Sequence, residues 1–414
     1  MRLPPPFAVT RAVANRAATR ARPYGRGEAA VLDAAAFAGA RAEISTWSGY
    51  APTPLLEMPG LAAAFGIGGI ALKDESGRFG LGSFKALGGA YAVACILKRE
   101  VRRATSRDVT TAELLAGTED AITRNLVVTC ATDGNHGRSV AWGAEMFGCG
   151  CVIFVHERVS VARVRAIERF GATVVRAPGN YDDAVRTAAA EAERHGRFVV
   201  SDTSYPGYTD VPRDVMLGYM VMVDEALDQM RRAPTHIFVQ GGVGGLAAAV
   251  AARSWQRHGA ARPLVICVEP DKADCLLQSA EAGHRVAITG ALDTIMAGLA
   301  CGEVSLLAWT IVQPGIDHFM SLPDAATMEA MRLLADAPAG DAPVVAGDSG
   351  AVGLAGLWGV LGDPDLARHL SLGPDSRALV FNSEGDTDPE FYRTVVGRSA
   401  AKVRHQGVSA GAAT

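Results

Sequence analysis

Four stretches of this chain set reactive or ligand-holding residue types among glycines: KDESGRFGLGSFKALGG at 73–89, ATDGNHGRSV at 131–140, QGGVGGLAAAV at 240–250 and NSEGDTDPEFYR at 382–393. In the first, Lys85 lies between Phe84 and Ala86, shortly ahead of Gly88 and Gly89, a poor setting for a solvated surface charge. Burial lowers a lysine pKa and turns the amine into a Schiff-base nucleophile. A lysine snorkelling from a helix start is the alternative. Lysines stand only at 73, 85, 98, 272 and 402, arginine supplying the rest of the 40 cationic residues, so a catalytic amine has few sources. In the third stretch, Gly241, Gly242, Val243, Gly244 and Gly245 follow the run THIFVQ and open a helix near Leu246. Such a loop lets backbone approach closely, and the helix start offers unpaired amides and the positive end of a dipole, so a phosphate fits there. A tight turn is one alternative reading. A dinucleotide site is another, with Glu269 as the ribose acid, although the GxGxxG spacing fails after Gly244.

These loops need elements to position them. LVVTC (126–130), CVIFV (151–155), TVVRA (173–177), FVVSDT, THIFVQ, LVICVEP and ALVFNSEGD are short and β-rich, and amphipathic stretches of helical length separate them. Helices are expected at about 136–147 and 161–170 and over YDDAVRTAAAEAERHG, which starts around Asp182 and Asp183 and is stopped by Gly196. The alternation gives an α/β class with mainly parallel, twisted sheets covered by helices. An open sheet of that kind gathers ligand contacts beyond the carboxyl ends of its strands, so the four loops are expected to build one site.

At 414 residues the chain has room for two or three domains of about 150 residues. Apolar residues make up 49% and charged residues 20%, which excludes a disordered or fibrous chain. A net charge of −4 offers no basic field for nucleic acid, and no apolar run reaches the roughly 18 residues of a membrane span. The seven cysteines form no CxxC pair, and Cys149 and Cys151 have no histidines at zinc spacing, so neither a disulfide scaffold nor a structural zinc is expected. Cys275 and Cys301 lie near the segments singled out here; reduced thiols are expected, and pairing stays open. The acids Glu384, Asp386 and Asp388 do not have calcium-loop spacing, so no metal is expected there. The first 27 residues carry six arginines and no acid, superficially like a transit peptide, but they lack an apolar signal core and share the Arg and Ala bias of the whole chain. An ordered or partly ordered N-terminal extension is the expectation.

Ser83, Phe84, Lys85, then Asp133, Gly134, Asn135, His136, Gly137, then a glycine-rich phosphate loop, in that order, resemble the fold type II (tryptophan synthase β-like) pyridoxal-phosphate enzymes. The segments KDESGRFGLGSFKALGGAYA, ATDGNHGRSVAW, TIMAGLACGE and SEGDTD are similar to those of the diaminopropionate ammonia-lyases, with the match running from about Tyr50 to Val396. The resemblance implies pyridoxal 5'-phosphate as cofactor. It makes Lys85 the Schiff-base lysine and α-proton shuttle, flanked by Phe84. It gives Asn135 the cofactor's phenolic oxygen, the loop Gly241, Gly242, Val243, Gly244, Gly245 the phosphate, and Ser383 the pyridine nitrogen. Asp133, where related dehydratases commonly carry serine, becomes a second base opposite Lys85; capping the helix near Asn135 is its plainer reading. Asp202 in VSDT becomes a partner for the substrate's second ammonium, or else a turn cap. Lys73, Asp74 and Glu75 belong to the family signature, though a charged strand end accounts for them.

The implied reaction is α,β-elimination of 2,3-diaminopropionate to pyruvate and ammonia by a cytoplasmic homodimer. The implied layout is an arm over 1–45, a large cofactor domain from 46–90 and 206–414, and a smaller inserted α/β domain over 91–205, with the cofactor in the cleft. Gly82, Ser83, Tyr205 and Pro206 depart from the family pattern on the substrate side. They leave open an enzyme acting on serine, threonine or another β-substituted amino acid, and the glycine loop with Glu269 leaves open a nicotinamide-dependent oxidoreductase.

Overall fold

The structure, a computed structural model, describes residues 3–411 apart from 133, 158 and 180. Eleven strands are assigned among the described residues: β1 Arg11–Ala14, β2 Leu55–Glu57, β3 Gly69–Asp74, β4 Val127–Ala131, β5 Gly150–His156, β6 Thr173–Ala177, β7 Phe198–Val199, β8 His236–Gln240, β9 Leu264–Pro270, β10 His318–Leu322 and β11 Arg377–Asn382. They form two sheets, ordered β1-β10-β9-β8-β11-β3-β2 and β6-β5-β4-β7. The second is parallel throughout, and in the first only the outermost strands β1 and β2 run antiparallel to their neighbours. The expected α/β class with mainly parallel sheets is what the chain folds into.

One compact unit comprises residues 1–31, 52–83 and 222–414 and holds the larger sheet. Its central strands are buried along their length, as β8 is from His236 to Gln240. Strands covered on both faces read as continuous apolar runs rather than alternating ones. Phe238, Ile266, Val268, Met320 and Leu322 from β8, β9 and β10 share a core with Leu354, Ala355 and Leu357 of the helix Val352–Gly362.

The other unit comprises residues 32–51 and 84–221 and holds the smaller sheet. Within it the helix Lys85–Thr105 packs along the helix Asn135–Phe147. Trp47 joins 32–51 to this body, its ring 5.9 Å from that of Trp142 and 5.7 Å from that of Phe147.

The unit boundaries at 83/84 and 221/222 differ from those expected at 90/91 and 205/206, and side-chain packing gives the reason. A Cβ on Gly88 would lie 2.4 Å from Cε1 of Tyr219, and one on Gly89 would lie 2.4 Å from Oγ of Ser139. The helix that Lys85 opens is thus seated from its first turn on the helices Asn135–Phe147 and Asp210–Gln229, so Lys85 goes with them. The arm does not stand apart either. Residues 3–31 lie in the first unit, where β1 pairs with β10 through Arg11↔Ser321 to Ala14↔His318. Arg11 pairs with Asp274 at 3.1 Å, Arg20 with Asp317 at 3.1 Å, and the Trp358 indole donates to the Leu3 carbonyl at 2.8 Å.

Among the described residues no helix is long and apolar enough to cross a membrane. Deleting residues 1–24 should lower the melting temperature by at least about 5 °C, because it bares the β10 edge and takes Arg20 from Asp317, which keeps Arg262 at 2.7 Å. Differential scanning calorimetry of the truncated chain checks this; an unchanged melting temperature would make the arm a dispensable extension.

Candidate active site

Lys85 opens the helix Lys85–Thr105 with no side-chain cap from Phe84. What fixes its backbone is Ser139, whose Oγ donates to the Lys85 carbonyl at 2.6 Å and accepts from the Ala90 amide at 3.2 Å. Its Nζ meets Oδ2 of Asp202 at 2.5 Å, with both side chains 18% exposed. The ammonium also lies 5.5 Å from the ring centres of Phe84 and Tyr219, which pack on each other at 4.6 Å. Burial pulls the Lys85 amine down, but the Asp202 carboxylate more than reverses this and holds the ammonium well above the ordinary lysine range. Burial pushes Asp202 up, and Lys85 more than reverses that, holding the carboxyl well below the ordinary aspartate range. The expectation of a lysine depressed by burial is therefore corrected: its counter-ion outweighs desolvation.

Asp202 lies past β7 on a loop that Tyr208 pins, its hydroxyl accepting from the Ser201 amide and donating to the Val199 carbonyl, both at 2.9 Å. The same pinning confines the FVVSDT run to the two-residue strand β7. His136 holds the loop from beneath, Nε2 donating to the Val200 carbonyl at 2.8 Å, and burial pushes its imidazole below the ordinary range. Asn135 is the first residue of the helix Asn135–Phe147, and its Oδ1 accepts from Arg138 at 2.7 Å, which fixes which end of the amide donates. Asp133 lies outside the described residues.

The first unit carries the glycine loop, Ser383 and their supports. Gly244 has φ of +99° and caps the helix Gly245–His258, a left-handed turn that glycine adopts without strain. The helix start leaves the amides that follow without intrahelical partners, and these fit an anion. Ser383 directly follows β11 with its hydroxyl buried, accepting from Nε2 of Gln240 at 3.3 Å and donating to the Ser349 carbonyl at 3.3 Å. Gln240 Nε2 also reaches the Phe381 carbonyl at 2.7 Å, and Glu384 accepts from the Ser349 amide at 3.0 Å. The Gly385 amide donates to the Gly82 carbonyl at 2.9 Å, tying the segment just before Lys85 to the Ser383 loop.

Sequence reasoning missed Gln240, Ser349 and Tyr219. Gln240 was hidden at the end of an apolar strand run; a buried glutamine there, just before a glycine loop, is the signal that could have found it. Glu269 is not a ribose acid: its carboxylate accepts from the amides of Leu276 and Leu277 at 2.9 and 2.8 Å, spent on the start of the helix Cys275–Ala282. Lys73 does lie at a charged strand end, near the close of β3. It is buried with its ammonium on Glu225 and Gln229, each at 2.8 Å, and on the Thr53 carbonyl at 2.7 Å. Cys275 and Cys301 are unbridged thiols. Asp386 pairs with Arg404 at 2.6 Å and Asp388 caps the helix Pro389–Val396. Tyr205, 51% exposed, stacks on Tyr208 at 5.0 Å.

A family model described as pyridoxal-phosphate dependent enzyme matches residues 46–384. Diaminopropionate ammonia-lyase of Escherichia coli (strain K12) is 41% identical over 355 residues, covering 84% of this chain and 88% of that protein. The crystal structure of the holo form of Escherichia coli diaminopropionate ammonia lyase superposes with a TM-score of 0.85 at 37% identity, covering 94% of this chain and 97% of that one. Its complex with D-serine also gives 0.85, at 36% identity, covering 95% and 99%. The chain is thereby a pyridoxal-phosphate dependent enzyme of fold type II. Within that class it belongs to the diaminopropionate ammonia-lyases, which are carbon–nitrogen lyases, and the oxidoreductase reading falls away. The residues present fit the cofactor: a buried amine with its own counter-ion suits an aldehyde, a glycine loop at a helix start suits a phosphate, and a buried neutral hydroxyl suits a pyridine nitrogen.

Two expected outcomes follow from this geometry. Replacing Gly242, whose backbone is not left-handed and whose Cβ would stop 3.3 Å from the Gly298 carbonyl, by Asp sets a like charge against the phosphate. Cofactor affinity measured by titration should fall at least about tenfold with the fold retained, and unchanged affinity would make the loop structural only. In Asp202→Asn, desolvation acts on Lys85 without its counter-ion, so the amine loses its proton at lower pH. The rise with pH in the rate at which apoenzyme gains the visible absorbance of bound cofactor should therefore shift to lower pH; a shift upward would refute the electrostatic role.

Proposed function

We propose that this enzyme converts 2,3-diaminopropionate and one water to pyruvate and two ammonia, with Lys85 as the residue that carries the cofactor's aldehyde carbon. The observation that carries the assignment is the Lys85–Asp202 pair at 2.5 Å, an amine and a carboxylate poised to exchange partners. The cofactor, when bound, supplies the electron sink that makes the α-hydrogen acidic. The amides of Gly242, Val243, Gly244 and Gly245 hold its phosphate, with Gly241 setting the turn. Asn135 donates to its phenolic oxygen from an amide that Arg138 orients. Ser383 offers the ring nitrogen a neutral hydroxyl, so the ring stays unprotonated and elimination is favoured over transamination. Phe84 walls the Lys85 side chain.

Once the Lys85 nitrogen is committed to the cofactor, the Asp202 carboxylate changes partner and takes the substrate's second ammonium. Lys85, released by the substrate's own amine, removes the α-proton of the L-isomer. Asp133 serves as the second base, on the face of the substrate that the D-isomer presents. The β-amine leaves as ammonia, and water converts the released 2-aminoacrylate to pyruvate and the second ammonia. We further assign the enzyme to the cytoplasm as a homodimer: seven unbridged thiols support a reducing compartment, and the family resemblance supports the second copy.

Borohydride reduction of the holoenzyme should label Lys85, and the substrate should yield two ammonia per pyruvate; a label on Lys73 or a one-to-one ratio sinks the reading. Loss of a positioned base costs about 10²- to 10⁴-fold in rate. Asp133→Asn should therefore depress turnover of D-2,3-diaminopropionate by that order while leaving the L-isomer within a few-fold. Equal losses on both isomers would mark Asp133 as a cap or a cofactor-positioning group.

A further inference from the structure

Asp202 has two duties in the proposed function: it holds the Lys85 ammonium in the resting site and takes the substrate's second ammonium during turnover. While Asp202 holds the substrate, the Lys85 nitrogen is released as a free amine in a mostly buried place, without its counter-ion. A buried amine there needs a new polar partner.

Tyr219, on the helix Asp210–Gln229, supplies one. Its ring is 1% exposed, lies 4.6 Å from that of Phe84, and is centred 5.5 Å from Lys85 Nζ. Gly88 lacks the side chain that would collide with that ring, so the phenol is held in place by shape. The hydroxyl is buried and makes no hydrogen bond of good geometry with a described residue, yet it interacts with Lys85: burial pushes the phenol up, the ammonium draws it part of the way back, and in the resting site the phenol adds to what Asp202 does in holding the ammonium up. A phenol buried beside an amine without a settled hydrogen bond is costly as pure structure, since phenylalanine would fill the same space.

We propose that Tyr219 is a positioning residue for Lys85: its hydroxyl receives the Lys85 nitrogen when Asp202 turns to the substrate and donates to the lone pair of the neutral amine, keeping it aimed and unprotonated as a base. This rests on the assignment of Lys85 and Asp202 given above. Among the described residues, the titratable groups around Lys85 are Asp202, Tyr219 and His136, with Cys130 and Tyr208 lying behind Asp202. His136 is committed through Nε2 to the Val200 carbonyl and is pushed below its ordinary range, so it is neutral where Lys85 acts.

The test is Tyr219→Phe in the holoenzyme, with pyruvate release from each isomer of 2,3-diaminopropionate followed against pH. Losing a hydrogen bond to the amine should lower kcat for the L-isomer about tenfold, with KM within about twofold. The rising limb of its pH profile should move up by about one pH unit, because the neutral amine loses its donor. The D-isomer, which draws on Asp133, should keep its profile. The melting temperature of the holoenzyme should hold or rise, since the variant deletes a poorly bonded buried hydroxyl. An unmoved L-isomer profile overturns the inference, and so does an equal change for both isomers or a fall in melting temperature with kcat intact. Borohydride labelling of the same variant separates the two readings. A label on Lys85 with an unmoved profile removes only the role of Tyr219, whereas a label on another lysine removes the site assignment beneath it.

Discussion

An amine buried beside two aromatic rings keeps its proton only if a carboxylate stands against it, and the Lys85–Asp202 pair meets that constraint. Most of the second unit can be read as its support. Gly88 and Gly89 let the helix behind Lys85 sit down on Tyr219 and Ser139, Ser139 holds the Lys85 carbonyl, and Tyr208 and His136 hold the loop that presents Asp202. The sign of the pH dependence follows from the two shifts. Lys85 is raised, so its stabilisation is present below the unfolded lysine value and is lost as pH rises through the folded one. Asp202 is depressed, so its stabilisation is present above the unfolded aspartate value and is lost as pH falls through the folded one. The pair's contribution is therefore level across neutral pH, and the resting site is built for constancy rather than for switching.

The first unit solves a different problem, that of holding loops still where strands end. Arg78 and Lys73 are buried with Glu75 and Glu225, and Thr53 and Gln229 complete the hydrogen bonds, so two cations and two anions close on themselves below the segment that leads to Ser83. Replacing such a cluster by apolar residues is often neutral for stability, whereas its directed bonds restrict where the backbone can lie. Gln240 plays the same part among the ends of β8 and β11, bonding carbonyls at 349, 350 and 381 with one amide nitrogen. The loop amides and the Ser383 hydroxyl are thus held before any ligand arrives, which is what electrostatic preorganisation requires.

Much of this was legible in the sequence. The parallel strands announced themselves because burial on both faces demands apolar runs, and the glycine loop because a left-handed turn into a helix favours residues without side chains. Lys85, Asp202 and Ser383 came from motif order. The structure places Lys85 and Asp202 together, and it leaves their roles, like that of Ser383, as proposals. What was not legible was pairing. Nothing in the local sequence of Lys85 tells that a carboxylate 117 positions later reverses its desolvation. Glu269 looked like a ribose acid until the helix it caps was visible. Strands β1, β2 and β10 went unread, β1 and β2 being edge strands of four and three residues and β10 a strand of five, too short for a clear periodic pattern, while β3 was read only at its charged end.

The chain contains a second buried amine, and comparing the two shows what makes a lysine reactive. Lys73 is fully buried, and burial pulls its amine below the ordinary range, which by desolvation alone would make it the better nucleophile. Yet its ammonium has three oxygen partners, Glu225, Gln229 and the Thr53 carbonyl, one for each proton, and nothing can approach it without breaking all three. Lys85 has a single carboxylate, a partly open side chain and two aromatic faces that attract a cation but bind no particular proton. Only one partner has to be exchanged to free its nitrogen. The two amines differ in how many bonds hold them, and their opposite pKa shifts belong to that arrangement.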